Sequence, residues 1–595
     1  MANDLIVTFV LSLSVLFCLF KVGGVGSRAS NLPPGPPTLP LLGNLHLVRL
    51  TSIYLDLGIT NSNRCLFFDH MFNCKNGPKN TGNCHTARIR SITLTSRSDR
   101  PIYSLVLGTK VMIVLSSDDA VADVLVKKSG NYSDRPDMFI GQKIASGNLR
   151  LVVMRYGNNW RMIHRMIHNI MNIKAAVTYV PYQDLENKFL LEGLLDTPAD
   201  FLAHIRRFTY SLSTQMIFGY RCVNNKDPNL LQLFESFEKW GKLAGSSSAQ
   251  IADLFPVLQK LPDFITPNVS YAKKLFEIER KNYVGHWMKS KKALDSGKGL
   301  RHPGIRKLLI NRFLQPCFCN DIYRVQSQEG FSDDAAGYIS GSLLEAGSDT
   351  TASTLYGFIQ AALVWPEVQQ RAQEEIDQVV GPSRLPTIDD YENLPYIRCC
   401  IKESLRWMPT VILGVPHAAI KEDTYNGYVI PQGATVVNNV WAIHMDPERS
   451  ENPRVFNPER FKGDDTSLYQ SAVGNTKNRD NFVFGAGRRL CQGIHIAEQS
   501  LFLGISRLMW AFNFERPVDA KGVPIQYDIE DLVGGITVQP SDYPAIIKPR
   551  SPEKAQIIRD SVEECKQFLD PDTLQWKKVP EGMAFSTWMP DIAQD

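Results

Sequence analysis

Eleven cysteines lie along the 595-residue chain without a single Cys-x-x-Cys pair, and their number is odd. Such scatter excludes a disulfide framework and points to reduced thiols in a domain facing the cytosol. Charge of one sign is equally lacking: 65 basic against 61 acidic residues leave a net +4, which gives no electrostatic footing for nucleic acid. Gly485-Ala486-Gly487 has no third glycine at the spacing of a dinucleotide fingerprint, and flavin motifs are missing. No His-Glu-x-x-His occurs, and Cys65, Cys74 and Cys84, with His70 and His85 nearby, are too irregularly spaced for a zinc site. No repeat dominates, and 44% hydrophobic with 21% charged residues is the composition of a globular protein.

One apolar run opens the chain. Leu5 to Phe20 is broken only by Thr8, Ser12 and Ser14, and with the stretch to Val25 it approaches the ~20 residues a spanning helix needs. Lys21 and Arg28 lie behind it and Asp4 in front, which by the positive-inside rule leaves the rest in the cytosol. A cleaved signal peptide is the competing reading, but the residues before the run hold no Lys or Arg. The expected organisation is an anchor over 1–31 (helix about 5–25) and a stiff proline-rich hinge over 32–50, built on Pro33-Pro34-Gly35-Pro36-Pro37. An anomalous, aperiodic insertion over 51–100 follows. A catalytic domain over 101–550 carries a second atypical, basic stretch at about 300–315, and 551–595 reads as a C-terminal tail.

Alternation at Pro101–Gly108 and Val111–Leu115 predicts a hairpin. Further on, helical patterns dominate. Ser332 reads as an N-cap, with Asp333 and Asp334 complementing the dipole of a helix that runs to Val364, about 45 Å at ~1.5 Å per residue. Pro366 then starts another helix, which Gly381-Pro382 stops after Val380. The fold class is mainly α with small β-sheets.

The chemistry centres on Phe484-Gly485-Ala486-Gly487-Arg488-Arg489-Leu490-Cys491-Gln492-Gly493, which opens an apolar helix over Ile494–Phe512. A thiolate just before a helix N-terminus is stabilised by free N–H groups and the dipole. The glycines let backbone curl against a flat partner. A thiolate pushes electron density onto iron and favours O–O cleavage, so this chemistry wants Cys and not His. Upstream, Ala346-Gly347-Ser348-Asp349-Thr350-Thr351 sits within the long helix, where Gly347 opens a groove for dioxygen and Asp349 and Thr350 offer an acid and a hydroxyl to relay protons. Glu403 and Arg406 share a helix face at i,i+3 among apolar neighbours, a pair that needs further partners, and Pro458-Glu459-Arg460-Phe461 supplies one in Arg460.

Together these stretches resemble the cytochrome P-450 superfamily, whose heme signature F-x-x-G-x-R-x-C-x-G is matched by Phe484, Gly487, Arg489, Cys491 and Gly493. The resemblance spans roughly 32–550 and implies a triangular-prism fold. It also implies heme b with Cys491 as axial ligand, Arg489 at a propionate, Phe484 beside the sulfur, and Asp349 and Thr350 as oxygen-activation residues. Glu403, Arg406 and Arg460 become a structural triad behind the heme. Trp160-Arg161-Met162-Ile163-His164-Arg165 is similar to the family's W-x-x-x-R helix but departs from it. Trp160 and His164 are the expected heme contacts, with Arg161 and Arg165 as alternatives to His164. Substrate-pocket positions would be Leu343, Ala346, Val411, Val415 and Ile536.

The implied activity is that of a fungal-type monooxygenase of secondary metabolism in the endoplasmic reticulum membrane, single-pass with its catalytic domain cytosolic. It would insert one oxygen atom from O2 into a small lipophilic substrate, with electrons from NADPH through a separate flavoprotein reductase. The rivals are a heme-thiolate isomerase or dehydratase without external electrons, against which Thr350 argues, and an inactive membrane-bound remnant.

Overall fold

A computed structural model describes residues 24–45, 101–263, 266–299, 317–474, 479–578 and 580. The apolar run over 5–23, the stretch over 51–100 and the basic stretch over 300–315 lie outside the described residues. So do Cys65, Cys74 and Cys84. Among the described residues no helix is long and apolar enough to cross a membrane.

Strand β1 (Ile102–Leu107) and β2 (Lys110–Leu115) form the expected hairpin, in register from Ile102 opposite Leu115 to Leu107 opposite Lys110. Two later strands, β3 (His417–Ala418) and β4 (Thr435–Asn438), complete a sheet of order β1-β2-β4-β3, with β2 and β4 parallel. β1 is therefore an edge, and an exposed edge invites unwanted pairing. The segment expected to be a hinge covers it. Arg28 gives its guanidinium hydrogens to the carbonyls of Pro33 and Pro36 and to Ser104 O, at 3.1, 3.1 and 3.0 Å. Asn44 exchanges hydrogen bonds with Val106, N to O at 2.6 Å and Oδ1 from N at 2.9 Å. The prolines cannot donate, so their carbonyls are gathered by Arg28 and Asn44, and residues 28–44 are strapped to the body instead of hinging.

The helices that position the site are α1 (Asn158–Met171), α2 (Val180–Asp196), α3 (Phe201–Phe218), α4 (Pro228–Gly245) and α5 (Pro267–Gly299). They continue with α6 (Asp333–Val364), α7 (Pro366–Val379), α8 (Pro395–Trp407), α9 (Ile494–Ala511) and α10 (Pro552–Lys566). Ser332 caps α6 as expected, accepting from Ala335 N at 3.1 Å, and Pro366 opens α7. α6 is buried on every side over most of its 32 residues and packs against α3, α5 and α9. A helix apolar all round belongs in a core. Leu355, Ile359, Trp407, Leu501, Phe502 and Trp510 join α6, α8 and α9 in one buried cluster.

The stretch after Arg550, expected as a tail, extends this body. α10 packs on α2, burying Ile558, Val562 and Cys565, and Leu569 and Trp576 follow them inside. Trp576 Nε1 donates to Gln215 Oε1 at 2.6 Å. Arg221 donates to Leu574 O at 2.7 Å while its Nε meets the buried Glu186, which also pairs with Arg207.

Candidate active site

The cysteine loop is held by its own backbone. Cys491 N donates to Phe484 O at 2.9 Å, Gly487–Arg489 make one turn of 3-10 helix, and α9 begins after Gly493. Gly487 has φ +61°, and a Cβ there would lie 2.2 Å from Leu125 O, so only glycine lets the loop sit so close to its neighbour. Cys491 keeps an exposed surface although protein crowds around it. Burial pushes the thiol up, and a backbone hydrogen bond with Gly493 opposes that.

Around Arg489 the structure gathers basic side chains, and among the described residues the acid beside them is Asp134. Arg489 donates Nε to Ser133 O at 2.9 Å and Nη2 to Met154 O at 2.8 Å. Arg135, buried, donates to the carbonyls of Val152, Val415 and Pro416 at 3.0, 2.6 and 2.9 Å. His417, also buried, has Nδ1 at 2.6 Å from Tyr132 O, which makes Nδ1 the protonated nitrogen. Burial lowers Arg489 to about 10 and holds Arg135 well below the usual guanidinium range, with the charge of Arg489 lowering Arg135 further. His417 is depressed by burial, then by Arg135 and Arg489. The neighbouring acid, Asp134, is already engaged by Arg155 Nε at 2.9 Å and by Tyr156 N at 2.8 Å. Buried guanidinium groups lacking an anion are costly. The two propionates of the heme that the resemblance implies are anions of the kind this arrangement wants, and with an accessible sulfur nearby the residues fit that group.

Trp160 is buried on α1 beside Arg489, and the His164 ring lies tilted against it at 4.6 Å between ring centroids. His164 O accepts from Gln492 Nε2 at 3.1 Å, tying α1 to the cysteine loop. Burial lowers the His164 imidazole, with His168 and Arg489 adding to it. Arg161 and Arg165 are exposed. Of the three basic side chains weighed from sequence, the structure brings His164 toward Arg489.

The long helix α6 has one accessible window. Ala346 and Gly347 are exposed and Asp349 and Thr350 partly so, while the turns before and after are buried. In a helix that runs through the core, that surface is internal. Thr350 Oγ1 donates to Ala346 O at 2.8 Å. Burial raises the Asp349 carboxyl against a hydrogen bond with Thr537, and its Oδ2 is buried without a partner. The groove expected at Gly347 is not empty on its side-chain face: a Cβ there would lie 2.6 Å from Ser213 Oγ of α3, so the glycine admits α3.

Glu403, Arg406 and Arg460 come together. Arg406 grips Glu403 through Nε at 2.6 Å and Nη2 at 2.8 Å, and Arg460 Nε lies 3.4 Å from Glu403 Oε1. Arg406 also donates to His444 O and Pro453 O, and Asn457 N donates to Glu403 Oε1 at 2.8 Å, so this buried pair is fully wrapped.

A small apolar cavity is lined by Met138, Val153, Ala244, Ile412, Pro416 and Ile536. Ile536 lines that cavity, and Val415 packs in the adjoining cluster. Val411 is partly buried outside that lining. Leu343, also expected at the pocket, is buried in the cluster of Leu212, Met216 and Ile339. Sequence reasoning missed Arg135 and His417. Their signal was weak, a lone cation before a proline in Asp134-Arg135-Pro136 and a lone histidine after one in Pro416-His417.

A sequence model of the family described as Cytochrome P450 matches residues 82–537. Curated relatives include the cytochrome P450 monooxygenase virE of Hypocrea virens, 46% identical over 98% of this chain and 97% of that protein. The monooxygenases fogE of Aspergillus ruber and fsoB of Humicola fuscoatra are 43% and 42% identical, each over 96% of this chain and 97% of its own length.

Proposed function

The chain belongs to the cytochrome P450 family as a heme-thiolate monooxygenase, and on that premise we propose that it oxygenates a small lipophilic molecule of fungal secondary metabolism. In this reading Cys491 would supply the thiolate that holds a heme b. Arg489, Arg135, His417 and His164 would hold its propionate edge, and Trp160 packs against Arg489. The observation that carries it is the pair of guanidinium groups, Arg135 buried and Arg489 partly so, with no free acid beside them among the described residues, close to the loop of an exposed cysteine.

Thiolate-ligated heme iron, when bound, supplies the reductive activation of dioxygen. The chain's own residues do the rest. The apolar lining from Met138 to Ile536 binds an uncharged substrate and excludes water. Thr350 and Asp349, at the accessible window of α6, hold and pass protons at Oγ1 and Oδ2. An isomerase that takes no electrons would have no use for that pair. The electrons come from NADPH through a separate flavoprotein reductase, and the chain works at the endoplasmic reticulum membrane, anchored through its N-terminal apolar run. The test is the absorption spectrum of the reduced, carbon monoxide-bound protein, followed by turnover with reductase in vesicles. A thiolate-type Soret band and NADPH- and O2-dependent product support the reading; a histidine-type band, or product without NADPH, defeats it.

A further inference from the structure

A second group of ionisable side chains lies inside the body, away from the cysteine loop. Arg150, on the loop before α1, is fully buried. Its Nη2 lies 2.5 Å from Glu279 Oε2 on α5, and its Nη1 donates to Glu345 Oε1 on α6. Its Nε donates to Ser146 Oγ at 3.1 Å, and its guanidinium lies 4.0 Å from the Trp240 ring centroid. Tyr283 of α5 gives its hydroxyl hydrogen to the same Glu345 oxygen. The side chains of Glu279 and Glu345 are 0% and 4% exposed, so water does not screen them.

Charge counting decides what this cluster does. Two carboxylates face one guanidinium, which leaves a net negative charge in a dry place unless a proton is bound. The free oxygen for it is there: Glu279 Oε1 is buried without a partner among the described residues. Burial pushes the Glu279 carboxyl up to about 8 against the pull of Arg150, and the charge of Glu345 adds to the rise. The groups facing the pair are Arg150 from the loop, Tyr283 from α5 and Tyr338 from α6, whose hydroxyl is also buried without a partner. Asp349 lies one turn beyond Glu345 on the same face of α6 and feels its charge.

We propose that Glu279 and Glu345, bridged by Arg150, share one exchangeable proton and form a store that recharges Asp349 during turnover. This rests on the monooxygenase reading above for the use made of Asp349. Only protons move: Asp349 gives one up through Thr350, the pair passes its own to the Asp349 carboxylate, and the pair takes another from outside at Glu345, the one of its two carboxyls with any exposed surface. Glu279 and Glu345 touch no reacting atom and act through Asp349 as positioning residues.

Replacement Glu279→Gln separates a store from a mere tie, because an amide oxygen still accepts from Arg150 but carries no exchangeable acid proton. Infrared difference spectroscopy of the two full-length proteins in H2O and D2O is expected to show a carboxylic acid C=O band that the variant lacks. With reductase and substrate, the variant is expected to lose roughly tenfold in product per NADPH oxidised and to release the difference as peroxide. Its substrate-induced spectral shift stays at the wild-type concentration, and Glu279→Asp restores most of the coupling. If Glu279→Gln does not fold, Glu345→Gln removes the same proton from the other side. A variant that keeps the band, or couples like the parent, overturns the store. A wild-type protein without the thiolate spectrum defeats the enzyme reading instead, and the infrared comparison still stands.

Discussion

The guanidinium of Arg489 rests 4.1 Å from the centroid of the Trp160 ring, with two of its hydrogens committed to the carbonyls of Ser133 and Met154. Its remaining hydrogens have no acid to meet, since Asp134 is held by Arg155. Replacement Arg489→Met keeps the contact with Trp160 but removes the charge. A charge-assisted hydrogen bond is worth about 1.5–3 kcal/mol, so heme should dissociate on the order of ten to a hundred times faster. Transfer of heme to an excess of an apo-globin acceptor measures that rate. An unchanged rate would show that the cation serves packing alone.

Thr350 presents the opposite case, a side chain whose hydroxyl is engaged only with its own helix. Oγ1 donates to Ala346 O, a back-bond that contributes little to stability. Thr350→Ala should therefore unfold at the parent's temperature or slightly above, and keep its heme spectrum. Its product per NADPH consumed should fall by roughly ten- to a hundredfold, the scale of a lost proton-relay group. Side-by-side measurement of melting, peroxide release and product decides the matter. A parallel loss of stability and coupling would assign Thr350 to the fold.

Burial also sets a pH limit. His286 is lowered to about 4, by burial first and then Lys289, and His444 to about 3, by burial and then Arg406. An unfolded histidine titrates near ~6.5, so below that pH the unfolded chain binds protons that the folded chain refuses. Stability is thus level above pH ~6.5 and is lost as pH falls toward the folded values. At pH 5 each ring costs about 2 kcal/mol. Urea midpoints at pH 7 and 5 should show the drop, and His286→Gln, which hardly titrates, should shrink it by about one histidine's share. An equal drop in parent and variant would place the acid sensitivity elsewhere.

What the sequence made legible was local. Ser332 as a cap, Pro366 at a helix start, the β1–β2 hairpin and the string from Phe484 to Gly493 are each specified by neighbours in the chain. Glu403 and Arg406 were readable as one helix face in an apolar context, and Arg460 followed from a motif. Arg135 and His417 were not, because a lone cation becomes informative only when the fold buries it beside others from distant segments. The phase of α6 was illegible for another reason. A helix buried on all sides carries no apolar stripe to orient it, so the packing of Leu343 against Leu212 and Met216 could not be read from the chain. The strap over 28–44 and helix α10 also depend on tertiary partners, Ser104 and Val106 for one and α2 for the other.

One contact over the apolar cavity should set the size of what it accepts. The turn between Leu532–Gly534 and Val538–Pro540 touches helix α4 backbone to backbone at Gly535 and Gly241. A Cβ on Gly535 would lie 2.6 Å from Gly241 C and 2.8 Å from its Cα, and helix backbone does not yield. A Cβ on Gly241 would meet Gly535 Cα at 3.5 Å, an ordinary contact. The two replacements by alanine therefore have opposite expectations although they address one contact. Gly241→Ala should leave substrate affinity alone and gain about 0.5–1 kcal/mol from the helix. Gly535→Ala should wedge the turn away from α4, cost about 1–3 kcal/mol, and raise KM for a small substrate with kcat little changed. A bulkier analogue should gain where the small one loses. Spectral titration with a substrate pair of graded size reads the difference, and equal effects from both alanines would mean that the turn moves freely and does not bound the cavity.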